Sequence, residues 1–224
     1  KEYGEANPAF TVSYTAFKGA DSVTDIDTAP TASSTATATS DVGTAVITTS
    51  VGTDNNYTIV PVDGVLTIGK ATLTATADDK SKEYGEANPA FTISYTGFKG
   101  TDSATDIDSA PTASSTATAT TDVGTVVITT STGADNNYTI SPVNGTLTVG
   151  KATLVATADD KSKIFGEANP AFTITYDGFK GSDSVTDLDT APVATSSATN
   201  TTSVGTASID LSSGSDNNYT IVTV

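Results

Sequence analysis

Cysteine, methionine, tryptophan, histidine and arginine are all absent from the 224-residue chain. Without cysteine there is no disulfide and no thiolate nucleophile, and without histidine no imidazole can serve as general base or metal ligand. Ser-His-Asp and Cys-His catalysis and His- or Cys-based zinc sites are therefore excluded. The ten basic residues are all lysines and face 26 acidic ones, for a formal charge of −16. Such a surface repels phosphate backbones and anionic lipid, so neither nucleic acid nor a membrane surface is an expected partner. No apolar run reaches transmembrane length, and no membrane insertion is expected in this segment.

What is present is repetition. The stretch KEYGEANPAF begins at Lys1 and at Lys82 and returns as KIFGEANPAF at Lys163; Tyr3, Tyr84 and Phe165 are 81 residues apart, as are Tyr57, Tyr138 and Tyr219. A constant period of this size marks an array of small domains. Residues 1–69 form the first repeat, 70–150 the second and 151–224 the third. Residues 1–69 and 82–150 differ at only 13 of 69 aligned positions, mostly by swaps such as Val12 for Ile93, so the copies are expected to share one backbone. Three full periods would need 243 residues, 19 more than the chain has, and the difference corresponds to residues 144–162. The first repeat is thus expected to lack its opening strand and the third its closing one. Both gaps are expected to be filled by further copies of the repeat, continuing in the same chain or meeting it head to tail.

Within the second repeat, Ala71, Leu73, Ala75 and Ala77 alternate with polar residues and predict a half-buried strand. Asp78 to Lys82 reads as a charged turn, and Gly85 as a position of unusual backbone angle. Phe91, Ile93 and Tyr95 alternate in a second strand and, with Phe98, are expected to supply the bulk of the core. Ser103-x-x-Asp106 matches a capping box and predicts one short helix or 3₁₀ turn per repeat, ended by Pro111. Residues 112–121 read as an edge strand or extended arm. Strands are expected from Gly124, at Tyr138 to Ile140 and at Leu147 to Val149, the last two joined by a hairpin turn at Asn144-Gly145. Only Gly150-Lys151 separates the last strand of one repeat from the first of the next, too short for a flexible tether, which predicts a stiff rod. The order of elements is mainly β with one short helix per repeat, compatible with tandem small β-grasp-like domains; an immunoglobulin-like β-sandwich is the alternative.

Three sets of side chains are candidates for chemistry. Asp102, Asp106 and Asp108, with Asp21, Asp25, Asp27 and Asp183, Asp187, Asp189 in the other copies, offer oxygen ligands that suit Ca²⁺, although their spacing is not that of an EF-hand. The competing reading is that they favour a helix start and are otherwise solvated. Asn56, Asn137 and Asn218 each open an Asn-Tyr-Thr sequon for N-glycosylation, or are turn residues before a strand. A Lys–Asn isopeptide crosslink would need a buried lysine, and lysines are expected outside. The remaining carboxylates recur in loops without an aromatic platform, so the chain is not expected to be an enzyme, and no cofactor is expected beyond possible Ca²⁺.

Tyr84-Gly85, Asn88-Pro89, Phe98-Lys99-Gly100 with Asp102, Asn137-Tyr138-Thr139-Ile140 and Asn144-Gly145-Thr146-Leu147-Thr148-Val149 occur in this order and spacing. Together they resemble the MBG (YGX-type) repeats of bacterial surface adhesins, copy by copy over essentially the whole chain. The composition, rich in Thr, Ser, Ala and Gly, likewise resembles stalk regions of large secreted bacterial proteins. The resemblance implies an extracellular, secreted or cell-surface repeat of compact β form, used in tandem as an acidic stalk or fibre and carrying no assigned catalytic residue. Phe165 for Tyr, Asp177 for Thr96 and Ser203 for Asp122 are departures in the third copy that leave this pattern recognisable. The second expectation is a repeated low-affinity glycan or matrix-binding module, which would gain from avidity. Where the aromatic side chains go discriminates the two, since a core aromatic cannot be a binding platform.

Overall fold

The computed structural model describes residues 1–224. The chain is mainly β, in several small sheets. It forms two compact units, each assembled from three segments: Lys1–Thr76, Ile93–Thr112 and Thr130–Val143 in the first, and Ala77–Thr92, Ala113–Thr129 and Asn144–Val224 in the second. The second sequence repeat therefore contributes to both units, and each unit contains one boundary between repeats.

In the first unit, Ala32–Ser33, Gly43–Thr49 and Gly64–Ile68 form an antiparallel sheet, with Glu2 bridged in parallel to Gly69. A second sheet places Ala71–Ala77 between Ile93–Thr96 and Tyr138–Val143. The pairing of Ala71–Ala77 with Tyr138–Val143 is parallel and brings Leu73 opposite Ile140. One core joins Tyr3, Leu66 and Ile68 of the first repeat to Ala71, Leu73, Ile107 and Tyr138 of the second.

The second unit repeats this plan one period later. Gly145–Gly150 lies between Lys80–Glu83, in parallel, and Gly124–Thr130, antiparallel, with Ala113–Ser114 at the edge. Ala152–Ala158 lies between Ile174–Asp177 and Tyr219–Thr223. Tyr84 and Val149 share a core with Ala152, Leu154 and Tyr219, while Ile128, Leu147, Ala117 and Ala77 close a further one.

The alternating pattern at Ala71–Ala77 is realised: Ala71, Leu73 and Ala75 are fully buried. It is the middle strand of its sheet, paired on both sides. Phe91, Ile93, Tyr95 and Phe98 are only half-buried at the margin, so the expected bulk of the core sits instead on the small-residue strand and on Tyr3 and Tyr138, which share its core. Other expectations are also revised. Asp78 to Lys82 is not a turn throughout, because Lys80–Glu83 is a strand. Lys82 is buried, its ammonium donating to the carbonyls of Glu86 and Thr118, so a lysine does sit inside. Asn144-Gly145 folds no hairpin: the flanking strands pair in different sheets, and the residues pass the chain from one to the other. Gly145 is required for close approach, since a Cβ there would stand 2.4 Å from the Ala77 carbonyl oxygen. No α-helix forms. Val23–Asp25, Ala104–Asp106 and Val185–Asp187 are three-residue 3₁₀ turns, each followed by extended backbone.

The buried middle strand generates a stability prediction. Leu73→Ala and Leu154→Ala should each cost about 2–5 kcal/mol in denaturant unfolding, because neighbours on both sides prevent collapse into the cavity. Val62→Ala, at a site 79% exposed, should stay within about 0.5 kcal/mol.

Candidate functional site

Of the side chains singled out by the sequence, Asp102, Asp183, Asn137 and Asn218 meet the preceding repeat at the boundary between successive repeats. In the first unit, the hydroxyls of Tyr3 and Tyr138 both donate to Asp102 Oδ2, at 2.9 and 2.7 Å. Tyr138 Oη also accepts the Lys99 backbone N–H at 2.8 Å. The two rings meet edge to face with centroids 5.5 Å apart, and Phe98 adds a second edge contact to Tyr138 at 5.9 Å. One carboxylate thus takes a hydroxyl from each of two repeats, beside a cluster of packed aromatic rings.

Backbone and glycine geometry complete the joint. Gly4 has φ +85°, and a Cβ there would lie 2.3–2.6 Å from the aliphatic stem of Lys99. The Tyr-Gly pair therefore needs glycine twice over, for the left-handed backbone and for the lysine packed on it. Asn137 staples the same boundary. Its Oδ1 accepts the Val42 N–H at 3.0 Å and its Nδ2 donates to Asp41 Oδ1 at 3.0 Å.

The second unit reproduces all of this. Tyr84 and Tyr219 donate to Asp183 Oδ2 at 2.9 and 2.7 Å, with ring centroids 5.5 Å apart. Asn218 accepts from Val123 N–H and donates to Asp122, and Gly85, at φ +86°, packs under Lys180. The pairs Tyr14–Phe17, Tyr95–Phe98 and Tyr176–Phe179 lie at 5.8, 5.7 and 5.6 Å, so the three copies place these rings alike.

The aspartate triplets are divided among separate tasks. Asp102 and Asp183 are the joint carboxylates; Asp21 accepts the hydroxyl of Tyr57 alone among tyrosines. Asp106 accepts both the N–H and the Oγ–H of Ser103, and these bonds hold its carboxyl below the usual range. Asp25 and Asp187 cap Ser22 and Ser184 in the same way. Asp108 and Asp27 accept the N–H of Asn136 and Asn55, and the Asp189 N–H donates to Asp216. The structure brings no three acidic side chains together as a group that could hold a metal ion. Of the sequon asparagines, Asn56 is exposed, whereas Asn137 and Asn218 are half-buried with Nδ2 engaged in the joint. A glycan on either Nδ2 would displace that bond.

Burial, then the hydrogen-bonded carboxylate of Asp102, push the Tyr3 hydroxyl up to about 12; burial and Asp183 do the same for Tyr84. Tyr138 and Tyr219 are raised by burial and the same carboxylates. Each joint therefore keeps two neutral hydroxyls as donors to one anion. It is an arrangement for clamping two repeats onto one carboxylate.

Sequence reasoning missed the joint because its partners lie further apart than one period: Tyr3 and Asp102 are 99 residues apart. It also passed over the meaning of two departures in the third copy. Phe165 and Ser203 stand where Tyr84 and Asp122 supply the hydroxyl and the carboxylate of a joint to a following repeat.

Residues 1–67, 73–148 and 154–224 each match the family described as MBG domain (YGX type). No curated protein and no solved structure matches the chain.

Three outcomes follow from this geometry. Asp183→Ala leaves two buried hydroxyls without their acceptor and should destabilise by about 1–3 kcal/mol, whereas Tyr84→Phe removes one bond and should cost about 0.5–1.5 kcal/mol; parallel urea melts separate them. An unfolded tyrosine ionises near pH 10, below the folded value of about 12 for Tyr3 and Tyr84. Their contribution is thus fully present below pH ~10 and is lost as the pH rises through the folded value, and unfolding midpoints taken across that window should fall. Chelation should leave the melting temperature unchanged, because a ligand stabilises only where the native state binds it.

Proposed function

Since the chain belongs to the MBG domain (YGX type) family, we propose that it is a structural stalk or fibre segment of a large secreted or cell-surface adhesin, a stiff spacer with no enzymatic activity. The observation that carries this reading is where the family's signature residues go. Tyr-Gly, Phe-Lys-Gly-x-Asp and Asn-Tyr meet at the boundary between repeats, with Tyr3, Tyr84, Tyr138 and Tyr219 all 5% exposed or less. Residues spent on holding neighbours together transmit load, and the buried rings of these four tyrosines are not open to a ligand. The strong negative charge suits an extended extracellular segment that must stay soluble without disulfides. Within this reading each repeat is β-grasp-like. The parallel pairs Ala71–Ala77 with Tyr138–Val143 and Lys80–Glu83 with Gly145–Gly150 favour it over an immunoglobulin-like sandwich, which is built from antiparallel sheets.

The test is mechanical. Small-angle scattering of the full chain should fit a single rigid arrangement, and Asp102→Ala with Asp183→Ala should broaden it. A wild-type profile already typical of beads on a loose chain would rule the stiff spacer out. The glycan- or matrix-binding alternative is decided by a glycan array at millimolar sensitivity, where no reproducible hit is expected.

A further inference from the structure

Each joint holds two phenols where one can couple to the other. Tyr3 and Tyr138 direct their hydroxyls at a single atom, Asp102 Oδ2, at 2.9 and 2.7 Å, with ring centroids 5.5 Å apart. Tyr84 and Tyr219 do the same on Asp183 Oδ2, with the same ring separation. Because both oxygens of a pair sit on one acceptor, the hydroxyl ends of the two rings converge, and with them the carbons ortho to each hydroxyl. All four rings are between 3% and 5% exposed, which shields a radical formed there from other chains. The joint is also the inner end of a row of rings. Half-buried Tyr95 stands 5.7 Å from Phe98, and Phe98 stands 5.9 Å from Tyr138. Tyr176, Phe179 and Tyr219 follow at 5.6 and 5.7 Å. An electron can leave along such a row while the pair itself stays covered.

We propose that the two joints are sites of oxidative crosslinking, at which a peroxide-driven one-electron oxidant of the haem peroxidase class joins Tyr3 to Tyr138 and Tyr84 to Tyr219 as dityrosine. Each hydroxyl gives one electron to the oxidant and its proton to the aspartate oxygen it already touches. Asp102 and Asp183 are half-buried and pass that proton to solvent. The two phenoxyl radicals pair through one ortho carbon each and form one C–C bond. The hydrogens on those carbons then leave as protons while two protons return to the oxygens, which restores both phenols. In sum two C–H bonds are lost and one C–C bond is gained. The two electrons and two protons released are taken up by one hydrogen peroxide as it is reduced to two waters.

The product is a covalent bond across a repeat boundary in a chain with no cysteine. Each link closes a loop longer than the 81-residue period, so it removes much of the freedom of the unfolded chain, as a disulfide of the same span would. The other tyrosines lack this arrangement. Tyr14, Tyr95 and Tyr176 each meet a phenylalanine, and the ring against Tyr57 is Phe17. A phenylalanine has no hydroxyl to oxidise, so those contacts cannot couple.

The full chain, dilute and treated with a haem peroxidase and hydrogen peroxide, should develop the blue fluorescence of dityrosine while remaining monomeric on a denaturing gel. Mass spectrometry of the digest should find Tyr3 joined to Tyr138 and Tyr84 joined to Tyr219, each product two hydrogens lighter than its separate peptides. The urea midpoint of the crosslinked chain should rise. Tyr3→Phe should abolish the first link and spare the second. Asp102→Asn keeps an acceptor oxygen but takes up no proton, and should form the first link at least about tenfold more slowly than the second, which is the internal standard in the same molecule. No dityrosine, dityrosine only at Tyr14, Tyr57, Tyr95 or Tyr176, or equal rates at the two joints of Asp102→Asn would overturn the proposal. The stalk reading is tested apart from this, by the scattering of the untreated chain.

Discussion

A carboxylate shared by two tyrosine hydroxyls from successive repeats is the interaction on which the rest of the structure depends. Asp102 and Asp183 each accept two tyrosine hydroxyls whose rings pack edge to face. A buried hydroxyl without an acceptor costs about 1–3 kcal/mol, so both tyrosines depend on the one half-buried carboxylate they share. No single repeat can supply all three with their packing. The ring of Tyr3 belongs to one copy, while Tyr138 and the Ala71–Ala77 strand beneath it belong to the next. The contacts that close the core therefore also join the neighbours, as in other arrays whose repeats stack to bury their apolar face.

That constraint explains the poverty of the composition. Each unit packs a middle strand whose inward residues are mostly alanine, so the sheets approach closely and little apolar volume is available per repeat. A domain of about 80 residues with so modest a core is marginal by surface-to-volume scaling. Cysteine would be one remedy; closing the core across a boundary is another, and it removes apolar surface from both neighbours at once. Lys82 fits the same economy, its stem filling apolar space while two carbonyls take its ammonium.

Local pattern made the fold legible wherever the partner of a residue was near in sequence. The alternation over Ala71–Ala77, the Ser103–Asp106 capping pair and the left-handed Gly85 all formed as their patterns required. The failures share a cause. Asn144-Gly145 has the composition of a hairpin, but the strands on either side find better partners elsewhere, and parallel pairing with a distant strand leaves no local trace. The aspartate triplet left a cation site and a helix start both open because its members are close in sequence; in space Asp102 turns to a tyrosine of the preceding repeat while Asp106 turns back to its own Ser103. Periodicity itself concealed the joint, since identical copies invite pairing within a copy.

The same joint gives meaning to the few positions at which the copies differ. Most of the 13 differences between residues 1–69 and 82–150 are small swaps, such as Ile68 for Val149, that a core absorbs. Ala16, Phe165 and Ser203 are of another kind. Ala16 puts a methyl group where the backbone of an opening strand passes in the other two copies. Phe165 cannot donate to a downstream aspartate, and Ser203 cannot offer the carboxylate that Asp41 and Asp122 give to Asn137 and Asn218. A joint built on the third copy would forgo both bonds, each worth about 0.5–1.5 kcal/mol or more where charge is involved. The copies are consequently not interchangeable in order. With the third copy set ahead of the second, the joint between them would lack two of its polar contacts, while the aromatic packing, which Phe165 can still provide, would remain. Sequence divergence in such an array therefore acts on which copy can follow which, through a few atoms at each boundary, and leaves the fold of the individual repeat as it was.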